Sequence, residues 1–236
     1  MIRTLRVRWS DMAATDSPLV AFKNFLHPST RRVMPCVFLC EAATTLWVWV
    51  NIPSLVTDNC WFFASGLGSV AILALLETRQ KLPLPFVNHL PMKDCLCIFG
   101  ISFLAAFTAR VLGLSVQAFP EIASLAHLSC RIAFDVNVGI TEESGKIVLT
   151  NGAALALRRM LGDARWNMLG RFIVLATGSG AVVLWVWMHP LRSYGVGYFV
   201  SLLVSGIAYF LLIFWKRNYL PIVATHALYD FIFAPF

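Results

Sequence analysis

The chain has 236 residues, 58% of them hydrophobic and 13% charged, with a formal net charge of +7 and a mean hydropathy of +0.73. Soluble domains carry about a quarter charged residues, so this composition excludes an ordinary water-soluble globule and points to lipid as the solvent. Nucleic acid is not the expected partner of the positive charge, because the basic residues stand in short clusters between apolar runs, as in loops that face anionic lipid.

The stretch 1–32 carries Arg3, Arg6 and Arg8 with no continuous apolar segment beside them. It is expected to be a basic cytoplasmic tail and not a cleavable signal peptide. Apolar runs follow at Val33–Val56, with Glu41, Trp47 and Trp49, at Cys60–Leu76, and at Cys95–Phe119, interrupted by Arg110. Glu41 and Arg110 are expected to pair with each other or to snorkel. A polar, proline-bearing loop, Glu77–Asp94, separates the second run from the third. A shorter apolar stretch, Ile122–Ile140, holds His127 and the pair Arg131 and Asp135, whose spacing of four predicts an ion pair on one helix face. A new helix is predicted from near Thr141 to Arg158–Arg159, and runs at Met168–Met188, Tyr194–Trp215 and Tyr219–Phe236 follow.

A membrane-crossing helix needs ~20 apolar residues and satisfies its backbone internally. Barrel strands would instead alternate in polarity over ~10 residues, and these runs do not. The expected fold is therefore all-α, a polytopic transmembrane helix bundle in the inner or plasma membrane of a cell. Basic clusters at Arg31–Arg32, at Arg79, Lys81 and Lys93, at Arg158, Arg159, Arg165 and Arg171, and at Lys216–Arg217 are assigned to the cytoplasm, with Arg192 an exception. That assignment leaves one crossing between Phe119 and Arg158. Seven crossings are expected, with Ile122–Ile140 interfacial or re-entrant; eight is the alternative. The six cysteines form no CxxC motif and are read as small hydrophobes. Gly197, Ser201 and Ser205, four apart, predict a close-packing face.

Ionisable groups in lipid cost ~3 kcal/mol each and need a reason. The set that stands out is Glu142 and Glu143, adjacent to each other, with His189 at the end of a crossing and His226 and Asp230 four apart within the final run. In the orientation above, Glu142 and His189 lie near the outer ends of their helices. Asp230 is about 18 Å along its helix from Asn218, past the midplane toward the same side. Two carboxylates and two imidazoles gathered in a wet cavity would make a hydrolytic site, one glutamate deprotonating water and a histidine donating to the oxyanion. The same residues are zinc-ligand types, but no HExxH occurs; the expectation is no metal, with zinc as the alternative.

Thr141-Glu-Glu-Ser-Gly-Lys146, followed by a helix ending Leu157-Arg-Arg-Met-Leu-Gly162, resembles the glutamate-pair motif of the CAAX-protease and bacteriocin-processing (CPBP, or Abi) family of intramembrane proteases. Trp185-Val-Trp-Met-His189 is similar to that family's aromatic-xxx-His motif, with Trp where Phe is usual. Thr225-His-Ala-Leu-Tyr-Asp230 is similar to its His-xxx-Asn/Asp motif, after a Leu220-Pro221 start. The resemblance covers 141–236 and implies that this part is a catalytic helical core, following N-terminal transmembrane helices at 33–140. It implies that Glu142 activates water with support from Glu143, that His189 assists the water or leaving group, and that His226 and Asp230 stabilise the oxyanion. The implied substrate is a prenylated protein or another membrane-associated peptide, with membrane lipid as the other partner. The family's usual arginine, four residues after the second glutamate, is replaced by Ile147. Lys146 stands one position earlier, spaced to pair with either glutamate.

Two other classes stay open at this level: a catalytically degenerate scaffold or immunity protein on the same fold, and an ion-coupled transporter. The transporter lacks the internal repeat symmetry such proteins often show. Singly, the glutamate pair could mark an ordinary helix N-terminus, and Trp185 and Trp187 fit an interfacial belt as well as a pocket. His27, His89 and His127 carry no functional expectation.

Overall fold

The computed structural model of the protein describes residues 33–78, 83–84, 92–112, 125–189 and 191–233. The 1–32 tail, most of the Glu77–Asp94 loop, and the side chains of Arg110, His127 and Arg192 lie outside the described residues. Among the described residues every element is an α-helix: α1 Val33–Asn51, α2 Pro53–Asp58, α3 Cys60–Thr78, α4 Met92–Leu112, α5 Leu125–Met188, α6 Leu191–Lys216 and α7 Leu220–Phe233. Three helices are long and apolar enough to cross a membrane, Val33–Asn51, Leu128–Met188 and Val196–Lys216, and the apolar helices Cys60–Leu76 and Leu220–Phe233 are shorter.

The exterior and interior are inverted relative to a water-soluble protein. Leu39, Trp61, Leu75, Leu104, Phe172, Trp187 and Val196 face outward, while Glu41, Arg131, Asp135, Asn137, Glu143, Lys146 and His226 are buried. Water would drive that arrangement the other way, and lipid favours it.

Two sequence expectations are corrected by local backbone chemistry. The run Val33–Val56 is not one helix: it breaks at Ile52 (φ −138°, ψ 72°), because Pro53 restricts the residue before it and opens the short α2. Nor does a helix begin near Thr141. Thr141 lies inside α5, which starts at Leu125 and runs unbroken through Ile140 as far as Gly162. The arm 125–161 is ~55 Å long at ~1.5 Å per residue, so the stretch read as interfacial or re-entrant belongs to one continuous helix. Gly162, at φ 74° and ψ 163°, then turns the chain into the second arm, 163–188. That backbone conformation is open to glycine and strained for any other residue.

The first arm of α5 is the hub. It packs against α1, α3 and α7, and α5 also meets α6; α4 lies against α6 and α7. Close approach is set by glycines facing backbone or polar groups. A Cβ on Gly139 would come within 3.0 Å of the Val223 carbonyl oxygen and 3.3 Å of the Ala227 nitrogen, so α7 rides directly on the α5 backbone there. Ser102 of α4 and Thr225 of α7 share a 2.7 Å hydroxyl contact that fixes α7 from its other side. Asn151 clamps the loop residue Leu84 from both ends, accepting from its N–H at 2.9 Å and donating to its carbonyl at 3.1 Å. The α6–α7 turn uses Arg217 at φ 55°, and the Asn218 side chain accepts from the Leu220 N–H at 3.0 Å. Of the small residues expected to pack on α6, Ser201 is buried, and the Ser205 hydroxyl is spent on the Ser201 carbonyl of its own helix at 2.9 Å.

Candidate functional site

Glu142 and Glu143 sit midway along the first arm of α5, where consecutive positions point ~100° apart. Glu143 turns fully inward and Glu142 toward the end of the second arm. Folding α5 back at Gly162 brings His189, just past that arm, beside Glu142. The tight contact at Gly139 brings α7 with His226 and Asp230 against both glutamates.

His226 is the centre of the cluster. Its Nδ1 is 2.8 Å from Glu143 Oε1, and its Nε2 is 3.4 Å from both Glu142 Oε2 and Asp230 Oδ2. His189 Nε2 is 3.7 Å from Glu142 Oε1. The five residues read from the sequence therefore share one hollow. They are not equally open: Glu142, His189 and Asp230 keep 13%, 22% and 18% of their side-chain surface, against 1% for Glu143. The first three are partly open, and Glu143 lies behind them.

The hydrogen bonds settle the histidine tautomers. Glu143 Oε1 also takes a 2.6 Å bond from the Lys146 ammonium, so it is a carboxylate that only accepts and His226 Nδ1 carries the proton. The Trp185 carbonyl likewise only accepts, so His189 Nδ1–H donates to it at 2.9 Å. Both rings are thus held by their Nδ1 and present Nε2 to Glu142. Glu142 Oε2 is buried without a hydrogen-bond partner.

Lys146, spaced for either glutamate, chooses Glu143, and its ammonium also lies 3.9 Å over the Trp185 ring. Trp185 stands edge-on to His189 with ring centroids 4.6 Å apart and edge-on to His226 at 6.1 Å. It is a wall of the hollow, whereas Trp187 faces outward. Tyr209 of α6 forms a further wall, its ring 5.9 Å from that of His226; nothing in its sequence surroundings marked it.

Arg131 and Asp135 form the expected pair, Nε to Oδ2 at 2.6 Å. Sequence reasoning missed its second task. Arg131 Nη2 donates to the Asp230 backbone carbonyl at 2.7 Å, tying the site end of α7 to α5. Spacing along one helix reveals an i,i+4 pair but not what a guanidinium reaches on another. The expectation that Glu41 and Arg110 pair or snorkel falls on a side chain outside the described residues; the Glu41 carboxylate accepts from the Thr141 hydroxyl at 2.8 Å, on the face of α5 turned away from the hollow.

Glu142, Asp230 and the two Nε2 atoms are donors of the types zinc takes. Among the described residues, however, no group of three or more His, Cys, Asp or Glu is arranged to hold a metal ion. All six cysteines are free thiols. No family model matches the chain, and no curated protein or solved structure matches it either.

Proposed function

We propose that this protein is a multi-pass intramembrane peptidase of the CPBP type, hydrolysing a peptide bond of a lipidated or otherwise membrane-associated substrate with glutamate-activated water. The observation that carries the reading is the unspent Glu142 carboxylate, faced by two histidines whose tautomers are fixed by other groups.

In this reading Glu142 takes the proton of a water that attacks the scissile carbonyl. Glu143 and Lys146 hold His226 by its Nδ1, so its Nε2, once protonated, donates to the oxyanion. His189 Nε2 takes the water proton from Glu142 Oε1, 3.7 Å away, and gives it to the leaving amine as the carbon–nitrogen bond breaks. Asp230 orients the His226 ring from the Nε2 side. The residues themselves supply every proton-transfer role, so no metal is required. Stoichiometric zinc in the purified protein, lost on His226→Ala, would replace this mechanism with a metal-assisted one.

The topology that fits is seven crossings, made by α1, α3, α4, the two arms of α5, α6 and α7, with Gly162 and its arginines on the cytoplasmic side. The test of function uses protein in liposomes, supplied with membrane-derived and prenylated peptide mixtures and read by mass spectrometry of new N-termini. Cleavages present with wild type and absent with Glu142→Gln, at equal insertion, are expected. If the two give the same termini, the peptidase reading fails and the scaffold reading takes its place.

A further inference from the structure

A second polar centre lies on the opposite face of α5, and the proposed hydrolysis makes no use of it. Glu41, in the middle of the apolar α1, is completely buried. Its Oε1 accepts from Thr141, and its Oε2 has no hydrogen-bond partner. No salt bridge reaches it among the described residues. A carboxylate left this way in a low-dielectric interior is costly unless a positive charge accompanies it.

Among the described residues the surroundings supply neutral oxygens and no cationic side chain. Ser144, one turn beyond Thr141 on the same face of α5, is completely buried and its hydroxyl is also unpartnered. Asn137, one turn before Thr141, donates its amide N–H to Thr45 at 2.8 Å and has an unpartnered, buried Oδ1. The contacts Glu41–Thr141 and Thr45–Asn137 show that α1 and α5 run antiparallel. Helical side chains lean toward the N-terminus of their own helix, so the Glu41 carboxylate extends toward the level of Ser144. The third wall is α3. A Cβ on Gly66 would collide with both Glu41 Oε1 and Thr141 Oγ1, and the Ser69 hydroxyl lies 4.0 Å from where a Cβ on Gly145 would stand.

We propose that Glu41, Thr141, Ser144 and Ser69 bind a monovalent cation, sodium, between α1, α3 and α5. A single carboxylate with three hydroxyls matches one positive charge, and hard oxygen donors suit an alkali ion better than a soft metal. Gly66, where a Cβ would collide with Glu41 Oε1 and Thr141 Oγ1, lets α3 close over these oxygens. The bound ion would tie α1 and α3 to the first arm of α5, beneath Thr141 and hence next to Glu142 in the chain.

The test is equilibrium binding of radioactive sodium to the purified full-length protein, in choline buffer with potassium as competitor. Saturable binding of about one sodium per chain is expected, displaced at least tenfold more weakly by potassium. It should be lost in Glu41→Gln and weakened about tenfold or more in Thr141→Val and Ser144→Ala, while Glu142→Gln and His226→Ala keep it. Carbodiimide labelling of Glu41, read by mass spectrometry, gives a second measure: sodium should slow it and potassium should not. No saturable sodium binding by wild type overturns the proposal. Labelling of Glu41 that sodium leaves unchanged also overturns it and assigns a proton to the carboxyl. Binding abolished by His226→Ala but kept by Glu41→Gln would place the ion in the other site and refute the assignment.

Discussion

Lys146→Met removes a buried ammonium 2.6 Å from Glu143 Oε1, where the two side chains are 7% and 1% exposed. The gross attraction at that separation is about 6 kcal/mol at an effective dielectric of ~20. Most of it offsets the desolvation of the two ions, so the pair itself adds little net stability. Removing one member is a different matter, since it leaves Glu143 buried with only the His226 N–H. Breaking a buried pair in this way costs ~3–5 kcal/mol, to which the lost contact of the ammonium with Trp185 adds up to ~2 kcal/mol. Glu143→Gln should cost a similar ~3–5 kcal/mol, because it strands the lysine. The double variant leaves no uncompensated ion, and should recover at least ~2 kcal/mol relative to the sum of the singles. Denaturant unfolding of the four proteins in one detergent measures all three changes. Strictly additive losses, or a Lys146→Met protein within ~0.5 kcal/mol of wild type, would refute the claim that Glu143 is held as a carboxylate by Lys146.

Gly139→Ala should push α7 off α5 by a few tenths of an ångström, since both atoms it meets are backbone; turnover in the peptide assay should fall about tenfold or more with unfolding nearly unchanged. Glu142→Gln should lower cleavage roughly 100- to 10,000-fold while leaving unfolding close to wild type, because its Oε2 has no hydrogen bond to lose. Gly162→Ala should cost ~1–3 kcal/mol in the same unfolding measurement, from the φ of 74°. A cysteine at the outward-facing Met160, introduced in a background lacking the native cysteines, should react with an impermeant thiol reagent from the cytoplasmic face alone.

The apolar helices were legible because runs of this length and uniformity have few other solutions, and Cys60–Leu76 matches the start of α3 to the residue. The error at Thr141 has a physical cause. Thr-Glu-Glu-Ser has the chemistry of a helix N-terminus, a hydroxyl followed by acids that favour the positive end of the dipole. Here those groups face sideways instead: Thr141 to Glu41, Glu143 to Lys146 and His226, Glu142 into the hollow. A sequence does not distinguish polar groups that serve a helix end from polar groups that serve neighbouring helices. The five candidate residues could be picked out because charge in an apolar segment demands an explanation. Trp185 is marked by the motif resemblance alone, and Tyr209 and the reach of Arg131 to α7 are not marked, since an aromatic ring or an ion pair has ordinary structural uses wherever it stands.

The hairpin at Gly162 has a consequence for biogenesis. Glu142, Glu143 and Lys146 travel on α5 and His189 directly after it, so half of the hollow can form as soon as that element folds back. His226 and Asp230 come on α7, made after every other described helix. Until it docks, Glu143 is already matched by Lys146. If the proposed hydrolysis holds, arrival of α7 would complete the site, so that the order of synthesis itself would guard the surrounding bilayer against premature chemistry.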